Sequence, residues 1–260
     1  MRRTRKGKPV MKVQPPTASE ADYSQLTHRP LHCLVFLLPL LAAYELGVAA
    51  IQAAHPGGPQ VKLVAEDLLE RFLAACGATG YHLPALAVVA ILLSWQVFSK
   101  EPWKVNWPTI LGMTGESLLL AFPLLALNYT IGQVSPGHLA AGGPSAGWFD
   151  QLILSIGAGI YEELLFRLML ISVLSFLLVD LMRIPKQYGL AAVIVLSSLA
   201  FALQHQVPIG GEAYVPVRFA FRMLAGGFLA SVFVLRGFAV AVGCHAFYDI
   251  IAFTRMMFAG

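Results

Sequence analysis

Apolar segments long enough to cross a lipid bilayer recur along this 260-residue chain, and they constrain its fold more than any other feature. Hydrophobic residues make up 57% of the sequence and charged residues 12%, whereas a soluble domain carries about 25% charged residues. A helix needs about 20 apolar residues to cross the hydrocarbon core of a membrane. The sequence therefore predicts an all-α, polytopic transmembrane helical bundle of about seven or eight helices, one or two of them interfacial or broken.

The chain divides into three predicted regions. Residues 1–30 are basic and contain prolines, which predicts a disordered tail. Because a membrane span follows, the basic residues favour a cytoplasmic tail over a nucleic-acid-binding arm. Residues 31–147 are predicted to form the N-terminal membrane helices, with an amphipathic helix near 61–76 that lies at the membrane interface or is an ordinary surface helix. Residues 148–260 form the membrane helices that carry the polar motifs.

Seven apolar runs define the predicted spans, with approximate bounds 31–52, 82–98, 109–131, 148–181, 188–206, 217–235 and 238–258. The fourth run is too long for one straight span, and we predict a break near Gly157-Ala158-Gly159. Short loops rich in Lys and Arg alternate with loops that carry few of them, which places the N-terminus of this multi-pass protein on the cytoplasmic side.

Three charged side chains lie together inside the fourth apolar run: Glu162, Glu163 and Arg167. A charged side chain within hydrocarbon costs about 2.5–3.5 kcal/mol on insertion scales, so such groups are paired, face a water-filled cavity or serve a function. Glu163 and Arg167 are spaced to form an ion pair along a helix. That pair would leave Glu162 free to face a cavity.

Two histidines occupy later apolar runs, each one helical turn from a second notable side chain. Phe201 precedes His205 by four residues, and Asp249 follows His245 by four. A buried carboxylate with a histidine suits general acid–base chemistry on water. Two histidines with one or two carboxylates also form a plausible set of ligands for a divalent metal. A third interpretation is that each polar group only bonds a neighbouring helix.

Three motifs in the C-terminal part of the chain, each in an apolar helix, resemble those of a known family: Glu162-Glu163-x-x-x-Arg167, Phe201-x-x-x-His205 and His245-x-x-x-Asp249. They are similar to the EExxxR, FxxxH and HxxxN motifs of the CAAX-protease and bacteriocin-processing family of intramembrane proteases, in the same order. The likeness covers roughly residues 150–255, while the N-terminal spans match only as generic membrane helices.

The resemblance implies that Glu162 and His205 activate the attacking water. It implies that His245 with Asp249 stabilises the tetrahedral oxyanion or holds the site together. Two positions depart from the family pattern, since Leu168 stands where Gly is frequent and Asp249 where Asn is commoner. An ionised carboxylate cannot donate a hydrogen bond to an oxyanion. Asp249 is therefore protonated, orients His245 or binds a metal.

The resemblance also implies supporting roles for Glu163, Arg167 and Phe201. Family members have been described both as metalloproteases and as glutamate-dependent proteases that need no catalytic metal. The cofactor is accordingly either a divalent metal such as zinc or none, and a bound metal would have the ligands Glu162, His205 and His245. The expected partners are a peptide or membrane-protein substrate and membrane lipids, with no nucleic acid.

Straight spans raise a difficulty for this site, because they place His205 near the outer end of its helix and His245 in the inner third of its own. At 1.5 Å per residue, the expected mismatch in depth is on the order of 10–15 Å.

The same residues are compatible with two other functions. The buried Glu and His groups could form an ion or proton path in a transporter or channel, or the chain could be a catalytically silent scaffold of the protease fold. The sequence Gly143-Pro144-Ser145-Ala146-Gly147 formally matches a serine nucleophile motif but lacks a strand–turn–helix context.

Overall fold

The computed structural model describes residues 22–57, 61–134, 147–207 and 209–258. Most of the predicted basic tail and the Ser145 motif lie outside the described residues. The described chain forms nine helices: α1 Tyr23–Thr27, α2 Pro30–Ala54, α3 Val64–Ala75, α4 Leu83–Ser99, α5 Trp107–Val134, α6 Trp148–Leu181, α7 Lys186–Gln204, α8 Pro216–Arg236 and α9 Phe238–Phe258. Six of these helices, α2 and α5 to α9, are long and apolar enough to cross a membrane. The predicted all-α polytopic bundle is confirmed.

Helix α6 runs without a break, so the interruption predicted near Gly157 is wrong. The helix is α-helical over Trp148–Glu163, and it then widens into π-helical turns over Leu164–Ile171 and Phe176–Leu181 with one α-helical turn between them. The glycines serve close packing instead of breaking the helix. A Cβ on Gly157 would overlap the Tyr44 ring of α2, and a Cβ on Gly159 would lie 2.9 Å from the carbonyl oxygen of Val242 in α9.

Helix α9 is the central element of the bundle. Its first half is almost wholly buried, and it packs in parallel along α5 and antiparallel along α6. Two side-chain contacts fix the parallel register, since the Ser117 hydroxyl donates to the Val240 carbonyl oxygen at 3.2 Å and the Asn128 amide donates to the Tyr248 hydroxyl at 2.8 Å. Close approach at Gly159 fixes the antiparallel pair. At any given depth in the bundle, the side chains of α9 therefore contact α5 on one face of the helix and α6 on another.

The short connection between α8 and α9 lies part of the way along α5. Arg236, the last residue of α8, forms an ion pair with Glu116, which is nine residues beyond Trp107 at the start of α5. Nine residues of α-helix span about 13 Å. Helix α1 covers this connection, because the Tyr23 hydroxyl donates to Glu116 at 2.8 Å. Burial and the Glu116 carboxylate together raise the pKa of Tyr23 to about 12.

The amphipathic helix predicted near 61–76 is present as α3, and its inner face includes buried Ala65, Glu66 and Leu69. The Tyr44 hydroxyl donates to Glu66 at 2.5 Å and ties α3 to α2. Burial raises the pKa of the Glu66 carboxyl, although the hydrogen bond from Tyr44 acts in the opposite direction. The free-energy cost of burying a carboxyl is smaller when the group is protonated and neutral.

The polar residues in the N-terminal spans bond neighbouring helices. Glu45 accepts from the Tyr161 hydroxyl at 3.4 Å and lies 2.7 Å from Nδ1 of His82. Glu116 and Asn128 make the bonds to other helices described above. These contacts join α2 to α6 and to the residue before α4, and they join α5 to α8 and α9.

The tight contact at Gly159 makes a direct prediction. Gly159→Ala places a methyl group 3.0 Å from the Cβ of Ala246 and against the α9 backbone, and overpacking of this kind costs about 1–3 kcal/mol. We expect a lower midpoint of thermal unfolding in detergent. Gly115→Ala is the control, because nothing lies within 4 Å of its added Cβ. Equal midpoints for the two variants would show that α6 and α9 do not pack as closely as described.

Candidate active site

The two glutamates of the site lie where α6 changes from α-helical to π-helical geometry. Glu162 and Glu163 are the last residues of the α-helical part, and Arg167 lies in the first π-helical segment. Glu163 and Arg167 are fully buried, and Glu162 is 8% exposed. A π-helical segment inside a long helix is frequently found at a functional site.

Glu163 contacts two cationic or proton-donating side chains from different directions. Its Oε2 lies 3.1 Å from Nε of Arg167, so the ion pair predicted from the sequence is present. Its Oε1 lies 2.8 Å from Nδ1 of His245 on α9, a contact that the sequence does not indicate. Glu163 therefore links the arginine of its own helix to a histidine 82 positions away.

Arg167 is held by three kinds of contact. Besides the ion pair, its Nη2 donates to the carbonyl oxygen of Gly226 in α8 at 3.3 Å. The centre of its guanidinium lies 4.3 Å from the centroid of the Phe201 ring in α7, within the range of a cation–π interaction. Arg167 thus connects α6 to both α7 and α8.

Glu162 faces both histidines. Its Oε1 lies 3.7 Å from Nε2 of His205, and its Oε2 lies 3.8 Å from Nε2 of His245. These separations exceed the length of a direct hydrogen bond, and each is short enough for one water to lie between the two groups. The Glu162 carboxylate of α6 therefore lies near an imidazole nitrogen from α9 and another from His205, the residue that follows α7.

The hydrogen bond made by Nδ1 of His205 determines which of the two ring nitrogens can accept a proton. Nδ1 lies 2.9 Å from the carbonyl oxygen of Phe201, one helical turn earlier. Because a carbonyl oxygen only accepts, Nδ1 must carry the hydrogen, and the neutral ring leaves Nε2 as the acceptor. The acceptor nitrogen is the one that faces Glu162.

His245 is surrounded by carboxylates. Nδ1 contacts Glu163, while Nε2 lies 3.4 Å from Oδ2 of Asp249, one turn further along α9. The Phe201 ring packs edge-on against both histidines, with ring centroids 5.2 Å from His205 and 5.9 Å from His245. Asp249 is therefore placed to orient His245, which is one of the roles left open by the sequence.

The depth mismatch of 10–15 Å expected between the two histidines is wrong. Helix α9 begins beside Glu116 and not beside the first turn of α5, which moves His245 about 13 Å along the bundle. In addition, the His205 ring folds back over the last turn of α7 to reach the Phe201 carbonyl. The prediction treated each span as starting at the same membrane surface, and the contact between Arg236 and Glu116 removes that assumption.

A charged cluster holds the turn that follows His205. The Glu212 backbone N–H donates to the His205 carbonyl oxygen at 3.2 Å. Its carboxylate accepts from Arg218 at 2.7 Å and from the two terminal nitrogens of Arg222 at 2.9 and 2.7 Å. Arg218 and Arg222, both in α8, thus bind the loop to that helix.

The charge on Glu212 stabilises this turn over most of the pH range. Burial opposes ionisation, but the hydrogen bonds from Arg222 and Arg218 outweigh it and hold the pKa of Glu212 below its usual range. A carboxylate with a lowered pKa in the folded state stabilises that state above its unfolded pKa. This contribution is lost as the pH falls through the folded-state pKa.

The fit of the site to a metal ion is limited. Within the part of the chain that the structure describes, no group of three or more His, Cys, Asp or Glu side chains is arranged to hold a metal ion. Nδ1 of His245 contacts Glu163 directly at 2.8 Å, whereas Glu162 lies 3.7 and 3.8 Å from Nε2 of the two histidines.

Residues 144–251 match the family model described as "Type II CAAX prenyl endopeptidase Rce1-like". The match includes all three motifs and excludes α1 to α5. The match confirms, over residues 144–251, the resemblance to the CAAX-protease family predicted from the three motifs. At the level of the family, the match supports an intramembrane protease that acts on a peptide or protein substrate. Together with the six helices able to span a membrane, it supports an integral, multi-pass membrane protein.

None of the curated proteins and none of the solved structures compared with the chain matches it.

The structure brings together every residue proposed for the site: Glu162, Glu163, Arg167, Phe201, His205, His245 and Asp249. It adds Glu212, which the sequence analysis did not identify. The sequence signal for this ion-pair cluster is an acidic residue in a short loop that precedes one arginine by six residues and a second by ten.

Arg167 provides the clearest test of the buried ion pair. Arg167→Ala would leave Glu163 charged and fully buried with its main cationic partner removed, and breaking a buried pair in this way costs about 3–5 kcal/mol. We expect a strong loss of folded protein in membranes and a lower unfolding midpoint in detergent.

Arg71→Ala is the matched control, because Arg71 forms an ion pair of the same spacing with Asp67 and its side chain is 77% exposed. An exposed pair contributes about 0–1 kcal/mol. Normal abundance of Arg167→Ala would contradict the assignment of this pair.

Proposed function

We propose that this protein is an intramembrane endopeptidase in which Glu162 and His205 activate a water molecule that attacks a peptide bond. The observation that carries the proposal is the position of the Glu162 carboxylate, 3.7 and 3.8 Å from the Nε2 atoms of two histidines on different helices. A water between a carboxylate and an acceptor nitrogen has two groups that can take its proton.

The proposed reaction has two steps. The water oxygen bonds to the scissile carbonyl carbon while its proton passes to Glu162 or to Nε2 of His205, and the carbonyl oxygen becomes an oxyanion. The carbon–nitrogen bond then breaks, the carbonyl re-forms, and the transferred proton moves to the departing amine. No oxidant or further reactant is needed, because water supplies both the new carboxyl oxygen and the proton.

His245 is the proposed group that stabilises the oxyanion. Asp249 lies 3.4 Å from Nε2 and Glu163 lies 2.8 Å from Nδ1, so the ring satisfies its carboxylate neighbours best when both nitrogens carry hydrogens. A doubly protonated ring carries the positive charge that a developing oxyanion requires. In this proposal Asp249 orients His245 and does not donate to the oxyanion.

Glu163, Arg167 and Phe201 are proposed as supporting residues. Glu163 holds His245 through Nδ1, and Arg167 balances the charge of Glu163. The Phe201 ring contacts Arg167 and both histidines. Rigid support of this kind is what keeps reacting groups within a fraction of an ångström of their working positions.

The proposed substrate is a peptide or membrane protein that reaches the site from the bilayer. The matched family description names CAAX prenyl endopeptidases, so a prenylated C-terminal peptide is the first probe to try. We further propose that the N-terminus is cytoplasmic, on the basis of the Lys and Arg content of the short loops.

Glu162→Gln tests the function directly. The amide keeps the shape of the side chain but cannot act as a base, so proteolysis should be lost while the protein remains folded. Peptide termini would be compared across membrane and secreted proteins of cells that express the wild type or the variant at matched levels, with a farnesylated quenched peptide as an added probe. We expect termini that occur only with the wild type.

Glu101→Gln is the control, because Glu101 pairs with Arg29 outside the site, and it should leave the termini unchanged. Identical termini in the wild type and Glu162→Gln, with no cleavage of the probe, would instead favour an ion or proton path or a catalytically silent scaffold.

Chelation tests the alternative of a metal-dependent reaction. We expect cleavage by the purified protein in liposomes to survive a strong chelator, because no three His, Cys, Asp or Glu side chains among the described residues are arranged to hold a metal. Loss of cleavage on chelation and its recovery with zinc would contradict this expectation. Glu162, His205 and His245 would then be assigned as the ligands.

A further inference from the structure

Two glutamines stand on either side of His205, and both are buried. Gln204 is 3% exposed and Gln206 is 7% exposed. Among the residues that the structure describes, neither side-chain amide has a hydrogen-bond partner for its nitrogen or its oxygen. Buried polar side chains are nearly always paired, and an unpaired one calls for a physical explanation.

The unpaired state is specific to these side chains and does not extend to the backbone around them. The Gln206 N–H donates to the Leu203 carbonyl oxygen at 3.0 Å, and the Gln206 carbonyl oxygen accepts from Ile209 and from Gly210, each at 2.9 Å. The described backbone of the turn is thus well bonded, whereas the Gln204 and Gln206 amides have no hydrogen-bond partner among the described residues.

The helical register of α7 places Gln204 on the face that carries the site. Ser197 donates to the Phe166 carbonyl oxygen of α6 at 2.7 Å, and Phe201 contacts Arg167 and both histidines. Residues at spacings of three, four and seven share one face of a helix. Gln204 follows Ser197 by seven residues and Phe201 by three, so it continues this face toward the level of Glu162.

A buried primary amide is chemically matched to a peptide main chain. Its nitrogen donates to a carbonyl oxygen and its oxygen accepts from an N–H, so one glutamine can bind both polar groups of an extended strand. The polar atoms of an intramembrane substrate would otherwise lose their water without compensation. A substrate main chain beside Glu162 and His205 would give the unpaired glutamine amide its hydrogen-bond partners, and the amide would give the substrate's polar atoms theirs.

We propose that Gln204, together with Gln206, forms a subsite that binds the main chain of the peptide substrate next to the scissile bond. The inference rests on the proposed endopeptidase function, and it assigns to these residues a role in binding, separate from activation of the water. Because main-chain groups are common to all peptides, this subsite contributes affinity and register and does not select a side chain.

The test compares Gln204→Leu with Gln96→Leu in the full-length protein in liposomes. Gln96 is also fully buried, but its amide is satisfied, since its oxygen accepts from the Leu31 N–H at 3.0 Å and its nitrogen donates to the Glu101 carbonyl oxygen at 2.8 Å. The substrate is a quenched peptide that spans a cleavage site identified in the comparison of termini. KM, kcat and the unfolding midpoint are measured for each protein.

Gln204→Leu is expected to raise KM roughly ten-fold or more, with a smaller change in kcat, because it removes bonds made to the bound substrate. Its unfolding midpoint should be unchanged or higher, since an apolar group replaces an unpaired polar one. Gln96→Leu should show the reverse, with a lower midpoint and an unchanged KM. Gln206→Leu should behave like Gln204→Leu.

A lower midpoint with unchanged KM in both Gln204→Leu and Gln206→Leu would overturn the inference and show that the amides serve the fold. Equal cleavage by the wild type and Glu162→Gln would overturn the proposed function itself, and the inference with it. The two failures are distinguishable, because the first leaves cleavage dependent on Glu162 and the second does not.

Discussion

The buried carboxylate of Glu163 is the contact on which the arrangement of the site depends. It joins Arg167, on its own helix, to His245 on α9, and all three side chains lie almost entirely out of contact with solvent. A charge in this environment is tolerated only with a well-placed partner. The positions of α6 and α9 are therefore coupled by charge as well as by packing, and the close approach at Gly159 lets the two helices come near enough for both.

Two further sets of contacts position the helices around Glu163. Arg167 reaches the Gly226 carbonyl of α8 and the Phe201 ring of α7, so it fixes the helices on the far side of α6. The contact between Arg236 and Glu116 sets the level at which α9 begins, and this level decides whether His245 can face Glu162. Residues remote from the proposed chemistry thus determine the geometry of the reacting groups.

The sequence predicts the class of fold and the members of the candidate site because those features are local. Apolar length identifies spans, and charged or histidine side chains inside spans stand out against their surroundings, as Glu162 and His205 do. The break near Gly157 was predicted wrongly because a glycine that permits close packing has the same one-residue signal as a glycine that ends a helix. The contact between Glu163 and His245, and the depth of α9, depend on how helices far apart in sequence are placed, and no local pattern encodes them.

The two carboxylates that hold the site experience different surroundings. Glu163 is shielded on all sides, so dissolved salt has little access to its pairs with Arg167 and His245. Glu212, whose side chain is 28% exposed, holds the turn after His205 through its ion pairs with Arg218 and Arg222. Dissolved salt therefore screens the ion pairs of Glu212 more strongly than it screens the pairs of Glu163. The two halves of the site thus differ in how closely dissolved ions can approach the charges that hold them.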